Sequence, residues 1–189
     1  MTTPSVPSST PPESGDWSTE HRPEVLFARP EVQAMVAACV QNARSSMSAE
    51  EFLARAASIM PRPYGKAMLR GADRGRRAGL RLGLKTEKTQ SAEFTAPIGH
   101  VSAAILCSLA RNSQPVTAFE QREDGAALTA EIPSDRKTFG GTLTIEIRRD
   151  GTGTGVAGTA VIAGQIYDWG VCKKTLATLF ADIPALLVA

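Results

Sequence analysis

Apolar residues recur along this chain at two different periods, and the change from one to the other falls near Thr89. Upstream the spacing is three and four. Val32, Met35, Val36, Cys39 and Val40 follow Pro30, and this stripe predicts a helix to about Ala43. Pro30 suits the first helical position, where its missing N–H would go unused. Ser48-Ala49-Glu50-Glu51 has the form of a capping box, with Ser48 and Glu51 each satisfying the other's free amide. Phe52, Leu53, Ala56, Ile59 and Met60 continue it as a second helix, which Pro61 and Pro63 stop. The short link predicts an antiparallel helical hairpin over residues 25–61, and its apolar face needs a partner. Before it, eleven of the first sixteen residues are Pro, Ser or Thr. Such a stretch cannot offset its ordering entropy by burial, so residues 1–24 are expected to be a disordered tail.

Downstream the pattern becomes that of strands. Ser91–Ile98 reads as a first strand, and Gly99 precedes a helix carrying Val101, Ala104, Ile105, Ser108 and Leu109, with Asn112 at its end. Val116–Glu123 is a second strand, followed by the turn signal Asp124-Gly125. Ala126, Leu128, Ala130 and Ile132 alternate with Ala127, Thr129 and Glu131, and Leu143, Ile145 and Ile147 alternate with Thr144, Glu146 and Arg148. Both are the signature of half-buried strands. Asp150-Gly-Thr-Gly-Thr-Gly155 has the look of a phosphate-binding loop, but it joins two strands and no Lys-Ser/Thr follows. It is therefore read as a hairpin loop into a small-residue strand, Val156–Tyr167. Asp168 is placed as the N-cap of a last helix with Cys172, Leu176, Leu179, Phe180 and Ile183 on one face, closed by Pro184. Residues 89–189 are thus expected to form an α+β domain of order β-α-β-β-β-β-α, an antiparallel sheet packed on a C-terminal helix.

That order resembles the helix-grip arrangement of the START and polyketide-cyclase superfamily. The resemblance is carried by Phe94-Thr-Ala-Pro-Ile-Gly-His-Val-Ser-Ala-Ala-Ile-Leu106, where a strand runs through Ala-Pro into a helix, and by the strand and helix from Val156 to Leu187. It covers about half the chain. The superfamily's second small helix and one strand pair are missing before Val116. The resemblance implies a curved sheet around the last helix and, at the level of fold analogy, an apolar ligand between them. Ala157, Gly158, Ala160, Ala163 and Gly164 leave room beside the sheet for such a ligand, for a partner helix, or for close packing of the last helix. His100, Tyr167 and Trp169 are the ligand-contacting candidates. Trp169, at a strand–helix corner, would either gate a cavity or plug the end of the core.

Charge changes the picture in one segment. Residues 62–88 hold nine of the 21 Lys and Arg residues against only Asp73 and Glu87, so they carry +7 while the remainder carries −5. Gly71, Gly75, Gly79 and Gly83 fall at four-residue intervals within it. As a helix, the segment would line Arg70, Arg74, Arg77 and Arg81 along one face; otherwise it is a basic linker. An arginine stripe neutralises phosphates, which makes nucleic acid or an acidic protein the alternative partner. Tyr64 is its single aromatic, which gives base stacking little to work with. The acidic remainder could equally pair with it inside the chain.

Candidate chemistry is sparse. No apolar run approaches the ~20 residues of a membrane span. The N-terminus lacks a signal-peptide pattern, and Cys39, Cys107 and Cys172 fit neither a disulfide framework nor a zinc site, which leads us to expect a cytoplasmic protein. A Cys172–His100 pair would be the one nucleophilic arrangement available, but the helical stripe places Cys172 in the core. No cofactor or metal is expected, and a cyclase or hydrolase of the helix-grip type would have only His100 to work with. The sequence therefore points to binding ahead of catalysis.

Overall fold

The change of period is where helices give way to a sheet. The computed structural model describes residues 16–41, 48–57, 85–134, 140–164, 167 and 169–188. Helices α1 (Pro23–Ala28), α2 (Pro30–Gln41) and α3 (Ala49–Ala57) come first, then strand β1 (Lys85–Phe94) and helix α4 (Ile98–Arg111). Strands β2 (Val116–Arg122), β3 (Gly125–Ile132), β4 (Gly141–Asp150) and β5 (Gly153–Ala163) lead into helix α5 (Val171–Leu187). The class is α+β, in the expected order.

All five strands pair antiparallel in the order β1-β5-β4-β3-β2. From β2 to β5 the sheet is a meander, and β1, earliest in the chain, lies beside the latest strand. The Asp-Gly-Thr-Gly stretch is indeed a hairpin: Asp150 pairs with Gly153, and Gly151 takes the left-handed conformation (φ 57°) that the tight turn between them requires. Alternation separates the faces. Leu128, Ile145 and Gly158 are cross-strand partners on the inner face, as are Ala130, Leu143 and Ala160. Over them lie the helices. A Cβ on Gly158 would stand 2.9 Å from Leu176 Cδ2 and 3.2 Å from Phe180 Cε2. That glycine lets α5 settle directly on β5.

The most enclosed helix is α4 rather than the C-terminal one. From Ile98 to Ala110 every residue except His100 is buried, because α2, α5 and strands β4 and β5 all pack against it. A helix apolar all round belongs in the interior. The N-terminal hairpin finds its partner within the chain: Leu26, Phe27, Val32, Val36 and Phe52 join the same core as the sheet, and Phe27 meets Phe119 of β2 edge-on at 5.0 Å. One polar tie crosses the helix layer, where Asp182 of α5 accepts from the Ser108 hydroxyl at 2.8 Å and lies 3.6 Å from Arg111.

Several expected boundaries move, each for a local reason. Of the tail expected over residues 1–24, residues 1–15 lie outside the described residues; from Asp16 the chain packs against the domain, and Pro23 opens α1 with Leu26 and Phe27 buried beneath it. Strand β1 begins at Lys85 rather than Ser91 and ends at Phe94, so Lys85 and Lys88 are strand residues of the sheet edge. Ser48 Oγ accepts from the Glu51 amide at 3.0 Å as a cap should, but the Glu51 carboxylate turns to Arg55 at 2.8 Å instead of completing the box. The residue before the last helix is Gly170, left-handed at φ 80°, and Val171 is its first residue. Pro184 does not close that helix, which runs on to Leu187. So near the end, a proline removes a single intrahelical bond and α5 tolerates it.

Candidate functional site

His100 sits in the first turn of α4, half-buried, with its ring 4.7 Å from that of Trp17 at 71°. Trp17 belongs to a short strap fastened mainly through backbone. The Gly99 N–H donates to Ser18 O at 2.7 Å, and Arg149 of β4 donates to Thr19 O at 3.1 Å. Glu20 folds the strap back on itself, pairing with the Arg22 guanidinium at 2.6 Å and accepting from the Arg22 and His21 amides at 2.9 and 3.1 Å. The guanidinium above all holds the Glu20 carboxyl down at about 2 against an ordinary 4.5. A lowered folded-state value means stabilisation that is complete above pH 4.5 and fades as the pH falls toward 2. Acid titration should therefore loosen the strap in that window, before the core melts. With Trp169→Phe, Trp17 is the sole tryptophan of the two, and its fluorescence should report the transition. Glu20→Gln should remove most of the pH dependence, the rest coming from Asp16, whose carboxyl is also held low by the Ser18 amide it accepts from at 2.9 Å, and a transition unchanged in that variant would show that Glu20 is not its source.

The other two ligand-contacting candidates are elsewhere. Tyr167 and Trp169 meet edge-to-face at 5.0 Å in the β5–α5 loop and are 64% and 63% exposed. Trp169 stands out from the surface rather than closing the end of the core. Strand β1 measures the separation from His100. Its Lys85 end lies beside Ala163 and, through the Cys172 thiol at 3.9 Å from Thr86 O, beside the first turn of α5. Its Phe94 end feeds α4 and His100. Ten strand residues span roughly 33 Å, so His100 and the aromatic pair do not form one site. Nor can Cys172, fully buried, reach His100.

Cys107 is buried as well, and burial, reinforced by neighbouring Cys39, pushes its thiol well above the usual range. Arg70, Arg74, Arg77 and Arg81 lie outside the described residues. Among those described, no group of three or more His, Cys, Asp or Glu side chains could hold a metal ion, and no helix is long and apolar enough to cross a membrane.

What the sheet builds is a depression of about 750 Å³ on the face away from the helices. Its floor is Ser91 of β1 with Gly155 and Ala157 of β5. One outward row runs Glu93, Gly155, Arg148, Gly125, Arg122, and the next runs Ser91, Ala157, Glu146, Ala127. Small residues on β3 and β5 leave the long side chains of their neighbours room to lie flat. Arg122 reaches across β3 to Glu146 at 3.1 Å, and Arg148 lies over Gly155, where a Cβ would come within 3.0 Å of its Nε. Glu93, Glu123 and Asp124 complete the rim. With four carboxylates against two guanidinium groups, one of them already paired, the depression is acidic. Sequence reading missed these residues, although the outward half of each alternating strand contained them.

Compared with family models, with curated proteins and with solved structures, this chain matches none.

Proposed function

We propose that this chain is a non-enzymatic binding protein and that the open face of its sheet, not the layer between sheet and helices, receives the partner. In the superfamily that the Ala-Pro turn resembles, an apolar ligand would lie under the last helix. Here Leu176 and Phe180 occupy the room over Gly158, so the small residues of β5 serve close helix packing on one side and the floor of the depression on the other. The observation that carries the reading is this acidic, small-floored depression with Arg122 and Arg148 laid across it. Its charge selects a basic, extended segment of another protein, since opposite potentials steer and orient encounter.

An arginine-rich octapeptide titrated into the isotopically labelled protein is the probe. Amide shifts should move at Ser91, Glu146, Gly155 and Ala157, weaken with salt, and disappear in Glu93→Lys/Glu146→Lys. No shift on that face, or a native mass spectrum showing a bound molecule of a few hundred daltons released on denaturation, would overturn the placement. A second reading rests on the +7 segment. Polynucleotide binding that falls steeply with salt and is lost when Arg70, Arg74, Arg77 and Arg81 become Ala would move the function there.

A further inference from the structure

Tyr167 and Trp169 are unusual for their exposure and for the backbone that holds them out. Trp169 adopts a left-handed conformation (φ 51°), which bulky residues rarely occupy, and Gly170 follows at φ 80°. At the other end of the same loop, Gly164 is left-handed too, at φ 83°. Two aromatic rings, each nearly two-thirds open to solvent, thus project from one end of the sheet. Isolated apolar side chains at a surface need no explanation, but an adjoining Trp–Tyr pair is a patch.

The charge around that end has one sign in excess. Lys173 and Lys174 are exposed in the first turn of α5, which the Cys172–Thr86 contact sets against the start of β1. Lys88 is exposed on β1, while Lys85 is paired with Glu87 at 2.6 Å. Among the described residues no ion pair involves Lys88, Lys173 or Lys174. Against them the loop sequence carries a single acid, Asp168.

We propose that this end of the molecule docks on an anionic lipid surface, with Trp169 and Tyr167 in the interfacial layer and Lys88, Lys173 and Lys174 against the headgroups. Trp and Tyr are the side chains that favour that layer, having an apolar body and a polar tip. Lysines near an anionic leaflet add electrostatic attraction that ordinary salt weakens. The two rings stand at 85° to each other, so they offer no parallel platform for successive bases. That geometry favours a bilayer over a single-stranded polynucleotide. The surface is separate from the sheet depression, and its test is independent of that reading.

The full chain, mixed with vesicles of phosphatidylcholine and phosphatidylserine, should co-sediment and show a blue shift of tryptophan emission; vesicles of phosphatidylcholine alone should give neither. Trp169→Gly, which suits the positive φ, combined with Tyr167→Ala should weaken binding about tenfold or more, and Trp17→Phe should leave it unchanged. Lys173→Glu/Lys174→Glu should weaken it severalfold, with circular dichroism showing both variants folded. The proposal is overturned if the protein stays in the supernatant, or if binding survives loss of both aromatics, which would assign it to charge elsewhere in the chain. It is equally overturned if an oligothymidine, but not the vesicles, changes Trp169 emission.

Discussion

Replacing Ile145 by alanine lowers the free energy of unfolding by about 3–5 kcal/mol, the upper part of the range for large-to-small changes in a core. Ile145 is fully buried on β4, the middle strand of five. Its neighbours across the sheet are Leu128 and Gly158. Gly158 has no side chain to move into the space, and Leu176 and Phe180, which lie over it, already fit at contact distance. The cavity therefore stays open, and a site that cannot collapse pays the larger cost. Against a typical stability of roughly 5–15 kcal/mol, such a loss removes a large share. Urea unfolding should show a lower midpoint with an unchanged slope. A loss under about 1 kcal/mol would mean that Ile145 does not pack in the core as described.

Gly99→Ala should detach the strap without unfolding the domain. An added Cβ would lie 2.1 Å from Trp17 O and 2.8 Å from Ser18 O. Both are backbone atoms, so no side-chain rotation relieves the clash. The strap must move, breaking the Gly99–Ser18 hydrogen bond and parting Trp17 from His100. The hydrogen bond and the packing together amount to about 1–3 kcal/mol of local stability. Helix α4, by contrast, gains up to about 1 kcal/mol from exchanging glycine for alanine. The two effects separate by location. Trp17 emission should shift red and the Trp17–Ser18 peptide bond should become sensitive to chymotrypsin, while the midpoint of global unfolding stays nearly constant. An intact strap in Gly99→Ala would mean that Trp17 and Ser18 do not cross over this glycine.

What the sequence made legible follows from how each signal arises. From Leu128 to Ile132 in β3 and from Leu143 to Ile147 in β4 burial alternates with exposure, so Leu128, Ala130, Leu143 and Ile145 announce their strands and faces without any knowledge of neighbours. Strand β1 is harder because Lys85-Thr86-Glu87-Lys88-Thr89-Gln90 is polar on both faces, as suits an edge that must resist pairing with other chains. Alternation has nothing to mark there, and the strand was expected six residues late. The strap escaped notice because its anchors are carbonyls and the absent side chain of Gly99. Its place at a strand–helix corner gives Trp169 the choice of gating a cavity or plugging the core, and neither reading includes the left-handed backbone that holds it outward. The depression was out of reach for a different reason. The hairpins place Arg122, Glu146, Arg148 and Gly155 on one surface, but Ser91 and Glu93 join them only because β1 lies next to β5, a pairing no local pattern encodes.

That pairing also orders events in time. Strands β2 to β5 are joined in succession, so each can zip to its predecessor across a short connection. Thr89, however, must find Thr159, seventy positions away. Closing so wide a loop costs chain entropy before any contact rewards it, and non-local pairings of this kind are the slow ones. The meander thus condenses first as a template. Strand β1 should then dock on its finished edge last, and pulsed hydrogen exchange during refolding should protect the β3 and β4 amides before those of β1.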